Sequence, residues 1–132
     1  MAVLLCLDSG TTSVKAAAFD EAGRLLAQAE RPNGALQREG ARVEQDMHRT
    51  RAEALSVLRD CAAQATGPFA GLIVTGQGDG LWPVDAGGQP VGRALTWLDG
   101  RARGLVAAMA PALDAVQAAT GSRPTEIGRA HV

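Results

Sequence analysis

Two apolar runs, each emptying into a small, polar, glycine-bearing loop, constrain the fold more than any other feature of this chain. Residues 2–7 are continuously apolar and end at Asp8-Ser9-Gly10-Thr11-Thr12-Ser13, and residues 70–75 lead into Gly76-Gln77-Gly78-Asp79-Gly80. Short apolar runs bounded by turn residues read as buried strands whose ends present a loop. After the first loop, residues 14–19 resume an apolar stretch, Asp20-Glu21-Ala22-Gly23 supplies turn chemistry, and residues 24–30 partly alternate. Three consecutive strands joined by tight turns are expected. Residues 31–45 are polar and carry Pro32, Gly34 and Gly40, which predicts a loop with an extended piece.

Asp46 can cap a helix in which Ala54, Leu58, Cys61, Ala62 and Ala65 recur at helical spacing, so a helix over 47–65 is predicted, stopped by Gly67-Pro68. Residues 81–84, a turn at 85–88 and residues 91–98 read as a hairpin. Asp99 opens a second helical region with Leu105, Met109, Leu113 and Val116 as its apolar positions; Pro111 either kinks it or starts another helix, and Gly121 ends it. The order is three strands, a helix, a strand, a hairpin and a helical region, an α/β class.

At 132 residues the chain has room for one domain but not for two joined by a cleft. With 46% hydrophobic and 20% charged residues it reads as soluble and folded. A net charge of -1 and the absence of a basic block exclude a dedicated nucleic-acid binder. No run approaches the roughly 20 apolar residues that span a bilayer, and residues 1–7 lack the basic and apolar regions of a signal peptide. A cytoplasmic protein is expected, without a membrane partner. Cys6 and Cys61 lie in separate apolar segments with no metal-ligand spacing, so they are read as reduced and buried.

Residues 8–15 hold the most chemistry. A carboxylate ends a buried strand, Gly10 leaves its backbone approachable, Thr11, Thr12 and Ser13 add hydroxyls, and Lys15 is the single lysine among 13 basic residues. Such a set can bind nucleotide phosphates: amides and hydroxyls donate, Lys15 neutralises charge, and Asp8 can hold Mg²⁺ through water. It is not a Walker A loop, which opens a helix. A purely structural polar hairpin turn fits the same residues.

Several motifs together resemble the FGGY carbohydrate kinases, relatives of actin and hexokinase. They are Leu5-Cys6-Leu7-Asp8-Ser9-Gly10-Thr11-Thr12-Ser13-Val14-Lys15 with Phe19-Asp20-Glu21-Ala22-Gly23-Arg24, then Glu44-Gln45-Asp46, Gly76-Gln77-Gly78-Asp79-Gly80-Leu81, Val84-Asp85-Ala86-Gly87-Gly88-Gln89-Pro90 and Trp97-Leu98-Asp99-Gly100-Arg101-Ala102. They cover about residues 2–124 in the family's order. The resemblance implies an RNase H-like domain with an inserted β-hairpin, incomplete in this chain, with ATP and Mg²⁺ as cofactors and a sugar or polyol as substrate. By motif match, Asp8 would organise the magnesium, Gly10, Thr11, Thr12 and Ser13 would line the phosphates, and Lys15 would take the basic position near the transferred group. The family's catalytic base is expected beyond the end of the chain, leaving the fragment alone inactive.

Gly78-Asp79 replaces the Met-His pair that many pentulose-kinase-like members carry after Gln77, and with the Trp-x-Asp-x-Arg element this most resembles the erythritol kinase-like branch. Asp79 can accept from two adjacent hydroxyls. Trp97 can offer its ring to a sugar's carbon face, while Asp99 and Arg101 can bind hydroxyls or fix one another. Gln77, Asp79, Trp97, Asp99 and Arg101 are thus the expected substrate set. Glu44 and Asp46 read as helix-capping residues and Trp82 as packing. Residues 126–132 depart from the pattern and back-translate to a string resembling a sequencing-library adapter. The native first part of the N-terminal kinase domain is therefore expected to be 1–125, with a non-native tail after it and the remainder of the same protein as its partner. The competing expectation is an actin-like module that binds nucleotide, or a partner, without phosphate transfer.

Overall fold

The computed structural model describes residues 1–124. In chain order the strands are β1 (Val3–Ser9), β2 (Ser13–Asp20), β3 (Leu25–Pro32), β4 (Leu36–Glu39) and β5 (Arg42–Gln45). Then come helix α1 (Met47–Gln64), β6 (Phe69–Gly76), β7 (Gly80–Leu81), β8 (Ala94–Thr96), helix α2 (Arg103–Ala108) and helix α3 (Leu113–Thr120). The chain divides into two compact units, residues 1–35 with 47–77, and residues 36–46 with 78 onward.

The first unit is a four-stranded sheet in the order β3-β2-β1-β6. Its three-strand meander follows the sequence reading: β1 and β2 pair antiparallel from Val3↔Asp20 to Ser9↔Val14, and β2 continues into β3. β6 joins β1 in parallel, which the intervening helix makes possible. Period-two alternation sets the faces. Val14, Ala16 and Ala18 of β2 point into the core with Val3 and Leu7 of β1, and Val57 and Cys61 of α1 close over them. Small alanines at that contact let the helix lie close to the sheet. Asp20 ends β2 buried: its carboxylate accepts from the Ala22 and Arg24 amides at 2.9 Å and from Arg24 Nε at 2.6 Å. The Arg24 amide leads in holding its pKa below the ordinary carboxylate value. Gly23, at φ 76°, takes the left-handed corner of this turn.

The second unit is built on a sheet in the order β4-β5-β8-β7. Here the sequence reading needs correction. Residues 36–45 are not a loop but a hairpin turning at Gly40, φ 58°, with Val43 and Gln45 buried on one face. Charged neighbours mask the alternation, and the partner β8 lies some fifty residues downstream, where local pattern cannot see it. The expected hairpin over 81–98 is present: the Asp85 carboxylate closes its turn onto the Gly87 and Gln89 amides at 2.8 Å, Val84 bridges Pro90, and β7 pairs with β8. Asp99 does not open the helical region, because α2 begins at Arg103 with Ala102 as its cap and the Asp99 carboxylate is engaged elsewhere. Pro111 sits in a 3-10 turn, Ala110–Ala112, that leads into α3, and Gly121 at φ 74° ends α3 as expected.

The apolar run at 70–75, expected to be buried, lies in β6. It is a strand, but every residue of it is exposed, because α1 packs mainly over β2 and β3. Both cysteines are free; Cys61 is buried, as read, while Cys6 is only half-buried, on the sheet face away from α1. No helix among the described residues is long and apolar enough to cross a membrane. The expected tail at 126–132 lies outside the described residues.

Candidate functional site

In the first unit, the turn after β1 carries the phosphate-loop candidates. Cross-strand register sets Thr75 beside Asp8, Asp8 beside Lys15 and Lys15 beside Glu30, one row across all four strands. The row lies on the face away from α1, since Leu7 and Ala16 next to it point into the core. Asp8 is exposed at the end of β1. Lys15 Nζ stands 3.3 Å from Glu30 Oε1, both half-exposed, and the Ser13 hydroxyl and then Lys15 hold the Glu30 carboxyl below its usual value. The ammonium of Lys15 is thus paired to a carboxylate across the strand, an arrangement of modest strength in water that a more highly charged ligand can replace.

Gly10 is required by close approach. A Cβ built there falls 2.9 Å from the Ser13 carbonyl oxygen and 3.9 and 4.0 Å from the Asp8 carboxylate oxygens. Asn33, which the sequence reading passed over, pins this turn: its Nδ2 donates to the Gly10 carbonyl at 2.9 Å and its amide donates to the Thr12 carbonyl at 2.9 Å. The signal for it was Pro32-Asn33-Gly34, a turn tripeptide just beyond a strand. Thr11, Thr12 and Ser13 follow Gly10 between the strands, so loop amides, hydroxyls, one ammonium and one open carboxylate share one sheet end. Among the described residues no three His, Cys, Asp or Glu side chains gather as a metal site. A single open carboxylate fits a hard cation held mainly by water and phosphate oxygens.

The second unit fixes the other candidates. Asp99 is buried and its carboxylate accepts from the Val43 amide at 2.9 Å, from the Arg101 amide at 3.1 Å, and from Arg101 Nε and Nη2 at 2.9 and 2.7 Å. These bonds, the Arg101 side chain first, hold its pKa at about 2 and raise that of Arg101. Of the two roles open to this pair, the geometry shows the two fixing one another. Arg101 Nη2 also donates to Glu44 Oε1 at 2.8 Å, and Glu44 lies 3.6 Å from Arg93 Nε. Glu44 therefore does not cap a helix; it ties β5 to the turn after β8. Thr96 reinforces that tie, its hydroxyl donating to the Val43 carbonyl at 3.0 Å.

Trp97, 38% exposed, stands between Thr96 and this pinned turn. The last rung of β7 and β8 is Gly80↔Thr96, and continuing that register sets Asp79 opposite Trp97. A Cβ at Gly80 would meet the Leu95 carbonyl oxygen at 2.7 Å and Trp82 Nε1 at 3.0 Å, so glycine is what lets the two strands close there. Asp79, Trp97, Asp99 and Arg101 are thereby grouped at one end of the second sheet, while Gln77 is the last residue of the first unit.

The N-terminal domain of the FGGY family of carbohydrate kinases matches residues 3–123. An erythritol kinase from Brucella abortus is 37% identical over 111 residues, which is 82% of this chain and 21% of that protein. A glycerol kinase from Methylibium petroleiphilum is 34% identical over 112 residues, 81% of this chain and 22% of that protein. Among solved structures, a xylulose kinase from Rhodospirillum rubrum superposes with a TM-score of 0.79 at 25% identity, covering 88% of this chain and 25% of that one. The chain spans about a fifth of the length of the curated relatives it matches.

Proposed function

Since this chain belongs to the FGGY family of carbohydrate kinases, within their N-terminal domain, we propose that it supplies the phosphate loop and the acceptor pocket of an ATP-dependent kinase whose acceptor is a polyol of the erythritol kind. The observation that carries the reading is the row Asp8, Lys15 and Glu30 beside a loop pinned by Asn33, a cation and a carboxylate fixed where amides and hydroxyls converge.

The nucleophile is a hydroxyl of the acceptor, so the protein has to align two oxygens, neutralise charge and accept a proton. Gly10, Thr11, Thr12 and Ser13 donate to phosphate oxygens, and Lys15 exchanges Glu30 for the transferred phosphoryl group. Asp8 is the residue that would hold Mg²⁺, which would supply charge neutralisation for the phosphates when bound with the nucleotide. In the acceptor pocket Asp79 accepts from two adjacent hydroxyls and Trp97 covers the carbon face. Asp99 and Arg101 keep the Trp97 turn in place. The base that takes the hydroxyl proton comes from outside residues 1–124. Identity to the erythritol kinase, together with the Gln77-Gly78-Asp79-Gly80 sequence, supports a small polyol over a larger sugar.

The test is a chimera in which this chain replaces the matching stretch of the Brucella abortus erythritol kinase. Erythritol at a hundred times its Kd should raise the unfolding free energy by about 2.7 kcal/mol, and an Asp79→Ala variant should lose that protection. Protection by ATP with none by any tetritol, pentulose or glycerol would instead mark a nucleotide-binding module without an acceptor.

A further inference from the structure

One row of α1 runs Arg49, Glu53, Val57, Cys61 at four-residue steps. Val57 and Cys61 are buried against the sheet, yet the same row opens with an ion pair, in which Arg49 Nε donates to Glu53 Oε1 at 2.8 Å. The Glu53 side chain is only 16% exposed, and its second oxygen, Oε2, is buried and makes no hydrogen bond among the described residues. A carboxylate oxygen in that state lowers stability. The pair is therefore placed for something other than holding α1 to the sheet.

What the pair touches is Gly34. A Cβ built on Gly34 falls 2.8 Å from Glu53 Oε1 and collides with the Arg49 guanidinium, so both side chains lie directly against this stretch of backbone. Gly34 is the middle of a turn in which Asn33 Oδ1 accepts from the Ala35 amide at 3.0 Å, an Asx turn that fixes the Asn33 side chain. With Oδ1 so held, Nδ2 donates to the Gly10 carbonyl and the Asn33 amide to the Thr12 carbonyl, both at 2.9 Å. In a trans peptide the carbonyl and the amide that follows it point opposite ways, and no cis peptide occurs among the described residues. The amides of Thr11 and Ser13 are thus turned away from Asn33. One line of contacts runs from α1 through Gly34 and Asn33 to the direction of two loop amides.

We propose that Arg49 and Glu53 are positioning residues of the phosphate loop, acting through Gly34 and Asn33 to aim the Thr11 and Ser13 amides. In this role neither side chain touches the nucleotide. Donors fixed in advance need no reorganisation when a phosphate arrives, and the ion pair supplies that fixation from the helix side. That these amides meet nucleotide phosphate rests on the kinase reading; their aim does not. A second tie between α1 and β3, Arg31 to Asp60, joins the same helix and strand without touching Gly34, and separates a general loosening of α1 from loss of the aim.

The test has two arms. In this full chain, amide hydrogen exchange at Thr11 and Ser13, followed by NMR, should quicken about tenfold in Glu53→Ala and return to within about twofold of wild type in Glu53→Gln, which keeps an acceptor for Arg49. Gly34→Ala, which displaces the Arg49 guanidinium and leaves α1 unaltered, should give the same signature as Glu53→Ala, whereas Asp60→Ala should leave both amides as in wild type. In the chimera with the Brucella abortus erythritol kinase, Glu53→Ala should raise the KM for ATP by about tenfold, on the scale of one lost hydrogen bond, with the KM for erythritol unchanged. A lower melting temperature in Glu53→Ala with wild-type exchange at Thr11 and Ser13 would make the pair merely structural and overturn the proposal, as would an equal effect in Asp60→Ala. A chimera that releases no ADP would sink the kinase reading and leave the exchange arm to decide the aim of the amides.

Discussion

Replacing Asp99 by asparagine removes the charge at the centre of the second unit and leaves its shape nearly intact. The carboxyl pKa falls from 3.8 to about 2 in the folded chain, chiefly through the Arg101 side chain. At 1.36 kcal/mol per pKa unit the charged form contributes about 2 kcal/mol to stability at neutral pH. Because the folded pKa is depressed, that stability is present above the unfolded value of 3.8 and is lost as the pH falls toward 2. On those two values roughly half should remain at pH 3 and little at pH 2. Both tryptophans of the sequence, Trp82 and Trp97, belong to the second unit, so intrinsic fluorescence during urea unfolding reports on that unit. The Asp99→Asn protein should be about 2 kcal/mol less stable than wild type at pH 7, and the gap should close between pH 4 and pH 2. A gap of the same size at pH 7 and pH 2.5 would refute an ionic origin, and no gap at pH 7 would refute the pinned turn altogether.

The remaining expectations concern the first unit. Gly10→Ala places a methyl group 2.9 Å from the Ser13 carbonyl oxygen, so the loop must shift; a loss of roughly 1–3 kcal/mol should appear in far-UV circular dichroism melts, and retained wild-type stability would mean that the turn is slack. Asn33→Ala removes the donor to the Gly10 carbonyl and should cost about 1 kcal/mol, with faster amide hydrogen exchange at Thr11 and Thr12 as its local signature. Burial, helped by Cys6 nearby, pushes the Cys61 thiol up, and its sulfur points at the Ala27 carbonyl at 3.6 Å. An aromatic disulfide reagent at pH 8 should therefore modify one thiol, Cys6, in the native chain and reach Cys61 only on unfolding; equal rates would show that the α1 contact opens readily.

Local pattern made the first unit legible. The meander and α1 follow from apolar periodicity, from Asp20-Glu21-Ala22-Gly23, and from Gly67-Pro68, all of which act within a few residues. What it missed depends on distant partners. Residues 36–45 become strands because β8 lies beside β5 with Val43 and Gln45 buried, and no window around Gly40 contains that information. The placement of β6 was legible but its burial was not, since an apolar run says what a strand needs and not whether the neighbouring elements supply it. In the loop, Asp8, Gly10 and Lys15 could be picked out by residue type. For Asn33 the sequence offered only the turn signal Pro32-Asn33-Gly34, and not its role, which is to hold the Gly10 and Thr12 carbonyls some twenty residues earlier. Glu44 resembled a helix cap in sequence, but the structure turns its carboxylate to Arg101.

Phosphate transfer to a polyol is the central property expected of this loop and of the Asp79–Trp97 pocket. In the chimera with the Brucella abortus erythritol kinase, ADP release coupled to a spectrophotometric readout should depend on erythritol and fall by about a hundredfold or more in Asp8→Ala, as loss of a charge-organising group at a phosphoryl-transfer site implies. ADP release that is indifferent to the polyol, or that survives Asp8→Ala unchanged, would contradict it.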